Sequence, residues 1–325
     1  MRLSEYNYDL PDILIAQRAL KNKDDCKLMI VKKNFSDKRF YDIIDYLEKG
    51  DVLVLNDTRV VKRKFLGRKE TGSLAEVVLL KKISRKIYEA KIKTKNPHKG
   101  TRIILKKGYI DIIDKKNIDT FIVKINSKEL LKDAILPTPP YIHRTLENSE
   151  YQTIYSKKDG SLASPTAGLH FTKKLLERIK EKGVKIRYVT LHVSYGTFKN
   201  IDDIKTYSMD SEYYEIPKNT ATAINNRKGR LVVIGTTTLK TLESSSKNGK
   251  IKSEKGFSTL FIYPPFKFNS EVDILVTNFH LPKSTLLLLT CAFGGRKRIF
   301  DAYKHAVLRK YRFFSLGDAM MVYKK

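Results

Sequence analysis

The chain has 325 residues, of which 41% are hydrophobic and 30% are charged. This balance is typical of a folded globular protein, and it excludes a disordered chain or an integral membrane protein. The longest strongly apolar run, residues 286–293, is far too short to span a bilayer.

The charge of the chain favours a polyanionic partner. The formal net charge is +29, from 64 Lys and Arg against 35 Asp and Glu, and a surplus of this size is typical of proteins that bind nucleic acid. Most of the basic residues are lysines scattered along the whole chain, however, and drift in the base composition of the genome would produce the same pattern. Charge alone leaves both interpretations open.

The N-terminal segment and the cysteines predict a cytoplasmic protein without a metal centre. Acidic residues stand in the N-terminal segment where a signal peptide needs an apolar core. Cys26 and Cys291 lie far apart, and neither has a second cysteine or a histidine at ligand spacing nearby. We therefore expect neither a zinc site nor a disulfide.

A separate β-rich module is expected in the first half of the chain. After a buried strand predicted within residues 49–58, short β-type runs follow one another at regular spacing between residues 76 and 125. These runs are EVVLL, KIYEAKI, TRIIL, YIDII and TFIVKI. They predict a compact antiparallel sheet or a small barrel. The successive prolines of PTPPYIHR, residues 137–144, then predict an extended linker back to the main body.

The remainder of the chain predicts alternating strands and helices. Thr172 can cap a helix that ends near Gly183. Strands are expected within residues 184–193, 230–238 and 272–282, with helices between them and after the last. This alternation predicts a mainly parallel sheet or an open barrel.

Polar residues stand at the carboxyl end of each of these three strands. They are Thr190, His192, Gly235, Thr236, Thr237, Thr277, Asn278 and His280. In open α/β sheets and barrels, ligands bind outside the carboxyl ends of the strands. The segment PTAGLHF, residues 165–171, precedes a helix and would add a fourth loop, with His170, to this rim.

Each of these features also has a purely structural interpretation. The GTTT run at residues 235–238 can place a backbone and hydroxyls against carboxylate, phosphate or ribose oxygens, but it can equally be a cap that only starts a helix. A histidine at a strand end is often structural, whereas three on one rim leave a structural and a functional interpretation equally open. No HxH or HxxxH pair supports a metal, and the GxGxxG, Walker A and GxSxG motifs are missing.

A set of sequence blocks runs in order along nearly the whole chain. The blocks are LPDILIAQ, LNDTRV, PPYIHR, YQTIYS, PTAGLHF, TLHVSYGTF, SEYYEIP, GTTTLKTLES, FIYPPFKF, VTNFHLPKSTL and YRFFSLGDAM. Together they resemble the S-adenosylmethionine:tRNA ribosyltransferase-isomerases of queuosine synthesis. The resemblance implies an α/β fold, with a barrel-like large α/β domain (residues 1–65 and 137–325) that is interrupted by a small all-β barrel domain (residues 66–136).

The resemblance also implies a reaction. The ribosyl group of S-adenosylmethionine is transferred and isomerised onto 7-aminomethyl-7-deazaguanine at the wobble position of tRNA, which yields epoxyqueuosine-tRNA, adenine and methionine. S-adenosylmethionine is consumed as the ribosyl donor, so no metal or other cofactor is expected. The implied partners are tRNA and S-adenosylmethionine, for a monomer in the cytoplasm that does not bind a membrane.

This chemistry needs a base near C5′, a proton donor to adenine and a pocket that excludes water. The candidate catalytic residues, without assigned roles, are His170, His192, His280, Asp210, Glu212 and Asp318. The candidate substrate-binding residues are Thr166, Ala167, Gly168, Thr190, Gly196, Gly235, Thr236, Thr237 and Asn278. The candidate RNA-binding residues are Arg59, Arg144, Lys240 and Arg312.

The sequence departs from the family pattern at several positions. In the block usually written H-x-M-H-S-E, Tyr207 and Asp210 replace two histidines. Lys240 stands where an arginine is expected and lacks the bidentate guanidinium fork. If either lost imidazole were essential, the protein would be slow or inactive, although Asp210 could itself act as a base.

Three functions therefore stay open. The first is an active ribosyltransferase-isomerase, and the second is a catalytically impaired homologue that binds tRNA only. The third is another S-adenosylmethionine-dependent RNA-modifying enzyme, such as a methyltransferase. The lack of a Gly-rich loop after the first strand argues against the third.

Overall fold

The computed structural model of the chain describes residues 2–198, 201 and 203–325, and the chain divides into two compact units. The larger unit contains Met1–Arg59, Pro139–Arg144 and Asn148–Lys325. The smaller unit contains Val60–Thr138 and Thr145–Glu147. The smaller unit is therefore an insertion into the sequence of the larger one.

The described residues form β-strands, α-helices and short 3-10 helices. The strands are β1 (Lys27–Val31), β2 (Phe35–Arg39), β3 (Val52–Asn56), β4 (Thr58–Val60), β5 (Lys64–Lys69), β6 (Leu74–Lys82), β7 (Ile87–Lys93), β8 (Arg102–Leu105), β9 (Gly108–Lys115), β10 (Phe121–Ile125), β11 (Lys158–Ser161), β12 (Lys185–Leu191), β13 (Glu212–Glu215), β14 (Leu231–Ile234), β15 (Ser246–Lys247), β16 (Lys250–Ile251), β17 (Lys255–Ser258), β18 (Ile274–Asn278) and β19 (Ala319–Tyr323). The α-helices are α1 (Asn148–Tyr151), α2 (Lys173–Glu181), α3 (Lys218–Asn225), α4 (Thr236–Ser245), α5 (Thr285–Gly294) and α6 (Arg296–Leu308). Short 3-10 helices cover Leu3–Tyr6, Asp12–Leu14, Lys23–Asp25, Phe40–Tyr46, Lys128–Asp133, Thr166–His170 and Tyr195–Phe198.

A mixed sheet forms the centre of the larger unit, in the strand order β17-β13-β12-β3-β14-β18-β19-β1-β2. The neighbours β12, β3, β14 and β18 are parallel, whereas β19 runs antiparallel to β18 and parallel to β1. The predicted α/β class is confirmed. The large sheet is open, with β17 and β2 at its edges.

Both faces of the central strands are buried, which explains their continuous apolar sequences. Val52 and Val54 of β3 belong to one hydrophobic cluster, and Leu53 and Leu55 belong to the cluster on the opposite face. Helices α3 to α6 contribute to the first cluster, while α2 and the 3-10 helix at Phe40–Tyr46 contribute to the second. As predicted, the Thr172 side chain caps α2 by accepting from the Leu175 N–H at 3.1 Å.

The smaller unit contains a closed antiparallel barrel, in the order β10-β7-β6-β5-β8-β9. Side chains that alternate along these strands, among them Phe65, Val77 and Val123, fill its interior. Gly67 permits a close approach of two strands, because a Cβ at this position would lie 2.4 Å from the Ile104 carbonyl oxygen. The predicted small β-barrel is confirmed.

Of the helices formed by the described residues, none has the length and apolar character needed to cross a lipid bilayer. The longest, α6, has 13 residues and carries basic and acidic side chains along its length. The apolar run predicted from residue 286 onward forms α5, whose leucines lie in the core of the larger unit.

Asp51 joins the amino ends of two central strands. Its side chain is 1% exposed. One carboxylate oxygen accepts from the Arg230 backbone N–H at 2.8 Å, and the other accepts from the Glu48 N–H at 2.9 Å and from the Arg230 guanidinium at 2.7 Å. The carboxylate therefore fixes the turn before β3 against the residue that precedes β14.

We expect Asp51→Asn to lower the free energy of unfolding by about 2–3 kcal/mol, because the Arg230 guanidinium loses a buried partner. Urea denaturation followed by circular dichroism measures this change. Asp45→Asn, at an exposed position of the same segment, is the matched control and should leave the midpoint unchanged. Equal stability of the two variants would contradict the assignment.

Candidate active site

Two adjoining pockets lie beyond the carboxyl ends of β14 and β18 in the larger unit. The first, here called the strand-end pocket, has an empty volume of about 570 Å³. Its walls include Tyr141, Ser164, Thr166, Ala167, Gly235, Asn278, His280, Phe314 and Ser315. The second, here called the ion-pair pocket, has about 390 Å³ and contains Glu212 and Lys240. The two pockets share Thr197, Thr236, Thr237 and Leu286, so they adjoin along these residues.

Gly235 determines how the chain passes the junction of the pockets. It links β14 to α4 with φ at +88°, a left-handed conformation that a residue with a Cβ adopts only with strain. Helix α4 then begins at Thr236, so its N-terminal turn lies in the pocket wall. Thr237 is anchored by Asn56, whose Nδ2 lies 3.3 Å from the threonine hydroxyl.

Asn278 presents an unsatisfied acceptor in the strand-end pocket. Its side-chain Nδ2 donates to the Phe314 carbonyl at 3.0 Å and lies 3.3 Å from the His170 Nε2 atom. The Oδ1 atom is buried and has no hydrogen-bond partner among the described residues, and the same is true of the Ser164 hydroxyl. Buried polar atoms are rarely left unpaired, so a ligand that donates hydrogen bonds fits this wall.

His170 lies behind Asn278 and not in the strand-end pocket. Its Nδ1 atom is 3.1 Å from the Cys26 sulfur. Because the Asn278 amide donates to Nε2, the ring proton belongs on Nδ1 and points to that sulfur. Burial lowers the pKa of His170 to about 4, so the imidazole is neutral, and burial raises the pKa of the Cys26 thiol. His170 thus orients Asn278.

His280 is the imidazole that the strand-end pocket does contain. Its Nε2 atom lies 2.9 Å from the Thr277 hydroxyl, and its backbone N–H donates to the Tyr303 hydroxyl at 2.9 Å. Burial lowers the pKa of His280 to about 3, which leaves the ring unprotonated at neutral pH. His280 therefore contributes a neutral imidazole to the pocket wall.

His192 and Thr190 belong to a different cluster at the end of β12. The His192 Nδ1 atom lies 2.8 Å from the Thr58 hydroxyl, and the ring stacks on Tyr213. Thr190 is buried and donates to the Asp57 carboxylate at 2.6 Å. Burial raises the pKa of Asp57, a residue that the sequence analysis did not select although it stands in the LNDTRV block. The structure brings neither His192 nor Thr190 into the walls of the two pockets.

Glu212 and Lys240 form a buried ion pair in the second pocket. The Lys240 Nζ atom lies 2.9 Å from Glu212 Oε2, with the side chains 7% and 3% exposed. The backbone N–H of Ser194 donates to Glu212 Oε1 at 2.7 Å. Asp210 packs against Gly196, where a Cβ would lie 2.1 Å from its carboxylate.

The remaining candidates have structural partners. Asp318 is buried, and its carboxylate accepts from the Lys27 and Arg312 N–H groups and the Arg312 guanidinium. Arg144 pairs with Glu150, and Arg59 donates to the Ser156 carbonyl from an exposed position. Arg312 lines a smaller cavity of about 270 Å³ together with His170 and Cys26.

Within PTAGLHF, the structure separates the candidate residues. Thr166 and Ala167 line the strand-end pocket. Gly168 instead packs against Tyr155, since a Cβ there would lie 1.9 Å from the tyrosine hydroxyl oxygen. Its role is therefore close packing rather than contact with a ligand.

The sequence analysis missed several residues of the strand-end pocket, chiefly Tyr141, Ser164, Phe314 and Ser315. Phe314 has φ at +75°, a strained conformation for an aromatic residue, and its carbonyl oxygen is the one that holds Asn278. Tyr141 packs edge-on against the Phe314 ring. Tyr141 lies in the PPYIHR block, and Phe314 and Ser315 lie in the YRFFSLGDAM block. Membership of these blocks was the sequence signal that could have identified the three residues.

Among the described residues, no group of three or more His, Cys, Asp or Glu is arranged to hold a metal ion. The polar groups of the strand-end pocket are amide, hydroxyl and imidazole groups, and the charged groups of the ion-pair pocket neutralise each other. The arrangement can bind a neutral, hydrogen-bonding group at one end and a charged group at the other.

The buried histidines predict that stability falls on acidification. Unfolded histidine has a pKa of about 6.5, whereas burial holds the pKa of His280 near about 3. From pH 7 to pH 5 the unfolded state therefore takes up protons that the folded state does not, and the free energy of unfolding decreases. We expect His280→Gln to reduce this slope by up to about 1.4 kcal/mol per pH unit.

Urea titrations at several pH values measure that slope. His143→Gln, at an exposed position of the same unit, is the control and should keep the slope of the unmodified protein. An unchanged slope in His280→Gln would refute the interpretation of His280 as a neutral buried group.

Comparisons with known proteins match this chain over nearly its whole length. A family model described as queuosine biosynthesis protein matches residues 3–322. The S-adenosylmethionine:tRNA ribosyltransferase-isomerase of Sulfurihydrogenibium sp. (strain YO3AOP1) is 46% identical, and the one of Acetivibrio thermocellus is 44% identical; each alignment covers 99% of this chain and 100% of the relative. The crystal structure of S-adenosylmethionine tRNA ribosyltransferase from Thermotoga maritima superimposes with a TM-score of 0.57 at 33% identity, covering 98% of this chain and 99% of that one. The chain is therefore an enzyme of the transferase-isomerase class and belongs to the queuosine biosynthesis protein family.

Proposed function

We propose that this enzyme transfers and isomerises the ribosyl group of S-adenosylmethionine onto 7-aminomethyl-7-deazaguanine at the wobble position of tRNA. The products are epoxyqueuosine-tRNA, adenine and methionine. The names of relatives that match the full chain support the donor and the tRNA acceptor. The single observation that carries the site is the pair of adjoining pockets, with an unsatisfied amide oxygen in one and an ion pair in the other.

The strand-end pocket suits the adenosine part of the donor. Adenine is neutral and presents an exocyclic amino group, and the buried Asn278 Oδ1 atom is an acceptor without a partner. The hydroxyls of Thr236 and Thr237 and the first turn of α4 offer hydrogen bonds to ribose oxygens. The apolar side chains of the walls, including Ala167 and Leu286, help to exclude water.

His280 is the proposed base for the C5′ proton. It lines the strand-end pocket and is unprotonated at neutral pH, because burial lowers its pKa to about 3. The adjacent sulfonium acidifies the C5′ hydrogens, which favours their removal by an imidazole that reaches C5′. His170 and its Cys26 contact act through Asn278 as positioning groups.

The positive charge of the chain supports tRNA as the acceptor, since 64 basic residues face 35 acidic ones. The proposal implies the cytoplasm as the compartment, because tRNA is present there. It also takes a monomer as the working unit, since one chain supplies the walls of both pockets.

The two altered family positions do not argue against activity. Tyr207 packs against the Phe261 ring at a centroid distance of 5.1 Å, and Asp210 packs against Gly196. Neither residue is among those that line the two pockets. A homologue that binds tRNA without catalysis is therefore the outcome to be distinguished by assay.

The test is to incubate the protein with S-adenosylmethionine and tRNA that carries the deazaguanine precursor. Chromatography of the released bases and of the digested tRNA should detect adenine and the epoxide nucleoside. Retained tRNA binding without either product would favour the impaired homologue, and transfer of a methyl group to the tRNA would favour a methyltransferase.

We expect Asn278→Ala to lower kcat/KM for S-adenosylmethionine by about 10- to 100-fold, because the adenine amino group loses its acceptor. The sharper measurement compares the donor with its inosine analogue, which lacks that amino group. The unmodified enzyme should discriminate against the analogue, and Asn278→Ala should not. Asn117→Ala, on the exposed surface of the barrel unit, is the control, and equal discrimination by Asn278→Ala would refute the contact.

A further inference from the structure

We propose that the buried Lys240–Glu212 pair is the binding site for an α-amino-acid zwitterion, the methionine end of the donor. Lys240 takes the carboxylate, and Glu212 takes the ammonium group. This inference rests on the proposed function for the identity of the donor, while the site itself is defined by the ion pair and the pocket around it.

The geometry of the pair matches the two charges of such a ligand. The Lys240 Nζ and Glu212 Oε2 atoms lie 2.9 Å apart, so each satisfies the other when no ligand is bound. The Ser194 N–H holds Glu212 by its other oxygen, Oε1, at 2.7 Å. Glu212 therefore stays in place while Oε2 exchanges its partner, and a ligand ammonium can replace the Lys240 ammonium there.

The cost of burial favours this interpretation over a purely structural one. Moving both charges out of water is expensive, and a buried ion pair often stabilises a fold no better than apolar residues of similar volume. The side chains are 7% and 3% exposed, so this cost applies in full here. When a zwitterion inserts between the two groups, its carboxylate pairs with Lys240 and its ammonium group pairs with Glu212. None of the four charges is then left unpaired.

The surrounding pocket has the shape and polarity for the rest of the ligand. Met209, Leu260, Phe261 and Leu289 line it and provide an apolar surface for methylene groups and a sulfur atom. The pocket adjoins the strand-end pocket along Thr236 and Thr237, and Asn278 offers its acceptor on the far side. One elongated molecule with a neutral head and a zwitterionic tail can thus occupy both pockets.

The inference replaces the expected role of Lys240 as an RNA contact. Lys240 is 5% exposed and lies on the buried side of α4, so its ammonium group does not face a phosphate at the surface. Lys240 and Glu212 are 28 residues apart in the sequence, so no local pattern predicted that they pair.

Binding rather than turnover tests the site. Calorimetric titration of the full chain compares S-adenosylmethionine with its decarboxylated form, which lacks only the carboxylate. We expect the unmodified protein to bind the complete donor at least about tenfold more tightly. In Lys240→Met this ratio should fall to about one, and in Glu212→Gln the affinity for both donors should fall, because both carry the ammonium group.

Each single variant leaves one buried charge without its partner and could unfold. The double variant Lys240→Met/Glu212→Gln removes both charges together, and it should keep its circular dichroism spectrum while losing the discrimination. Lys247→Met, at an exposed position just beyond α4, is the matched control and should retain the ratio. Unchanged discrimination in a folded double variant overturns the inference.

The outcome is separable from that of the proposed function. A protein that discriminates between the two donors through Lys240 but releases no adenine from S-adenosylmethionine and tRNA supports the zwitterion site and refutes the reaction. A protein that releases adenine but binds both donors equally refutes the zwitterion site alone. A protein that binds neither donor refutes both.

Discussion

The burial of the central strands on both faces is the constraint on which the rest of the larger unit depends. Strands β3, β14 and β18 are packed between two hydrophobic clusters, so their side chains are apolar up to the last one or two residues. Polar groups can therefore stand only where the strands end. Because these strands are parallel, their carboxyl ends meet at one edge of the sheet, and the two pockets lie at that edge.

Asn278 is the polar residue that this constraint places in the wall of the strand-end pocket. As the last residue of β18, it lies between the core and the strand-end pocket, with one side of its amide held by the strained Phe314 backbone and by His170. The amide orientation follows from these two contacts, since an Oδ1 atom facing the Phe314 carbonyl would be repelled. The remaining oxygen is left for a ligand, which gives His170 and Cys26 an influence on a pocket that they do not line.

The two pockets differ in electrostatics although they adjoin. The strand-end pocket offers uncharged donors and acceptors, and its histidine stays neutral because burial lowers its pKa. The ion-pair pocket holds two full charges that cancel. In the proposed binding mode this difference orients the donor, with the uncharged base at one end and the zwitterion at the other, so that the sulfonium and C5′ lie near the junction.

Local patterns determined much of this protein. Short β-type runs at regular spacing in the first half predicted the β-barrel, the cap at Thr172 predicted the start of α2, and the strand ends predicted the region of the pockets, because these signals depend on residues close in sequence. Only the tertiary structure determined which of the candidate site residues contact one another. His170 contacts Cys26, 144 residues away, and Lys240 pairs with Glu212. The Asp318 carboxylate accepts a hydrogen bond from the Arg312 backbone N–H. Such contacts depend on strand order and not on any local signal.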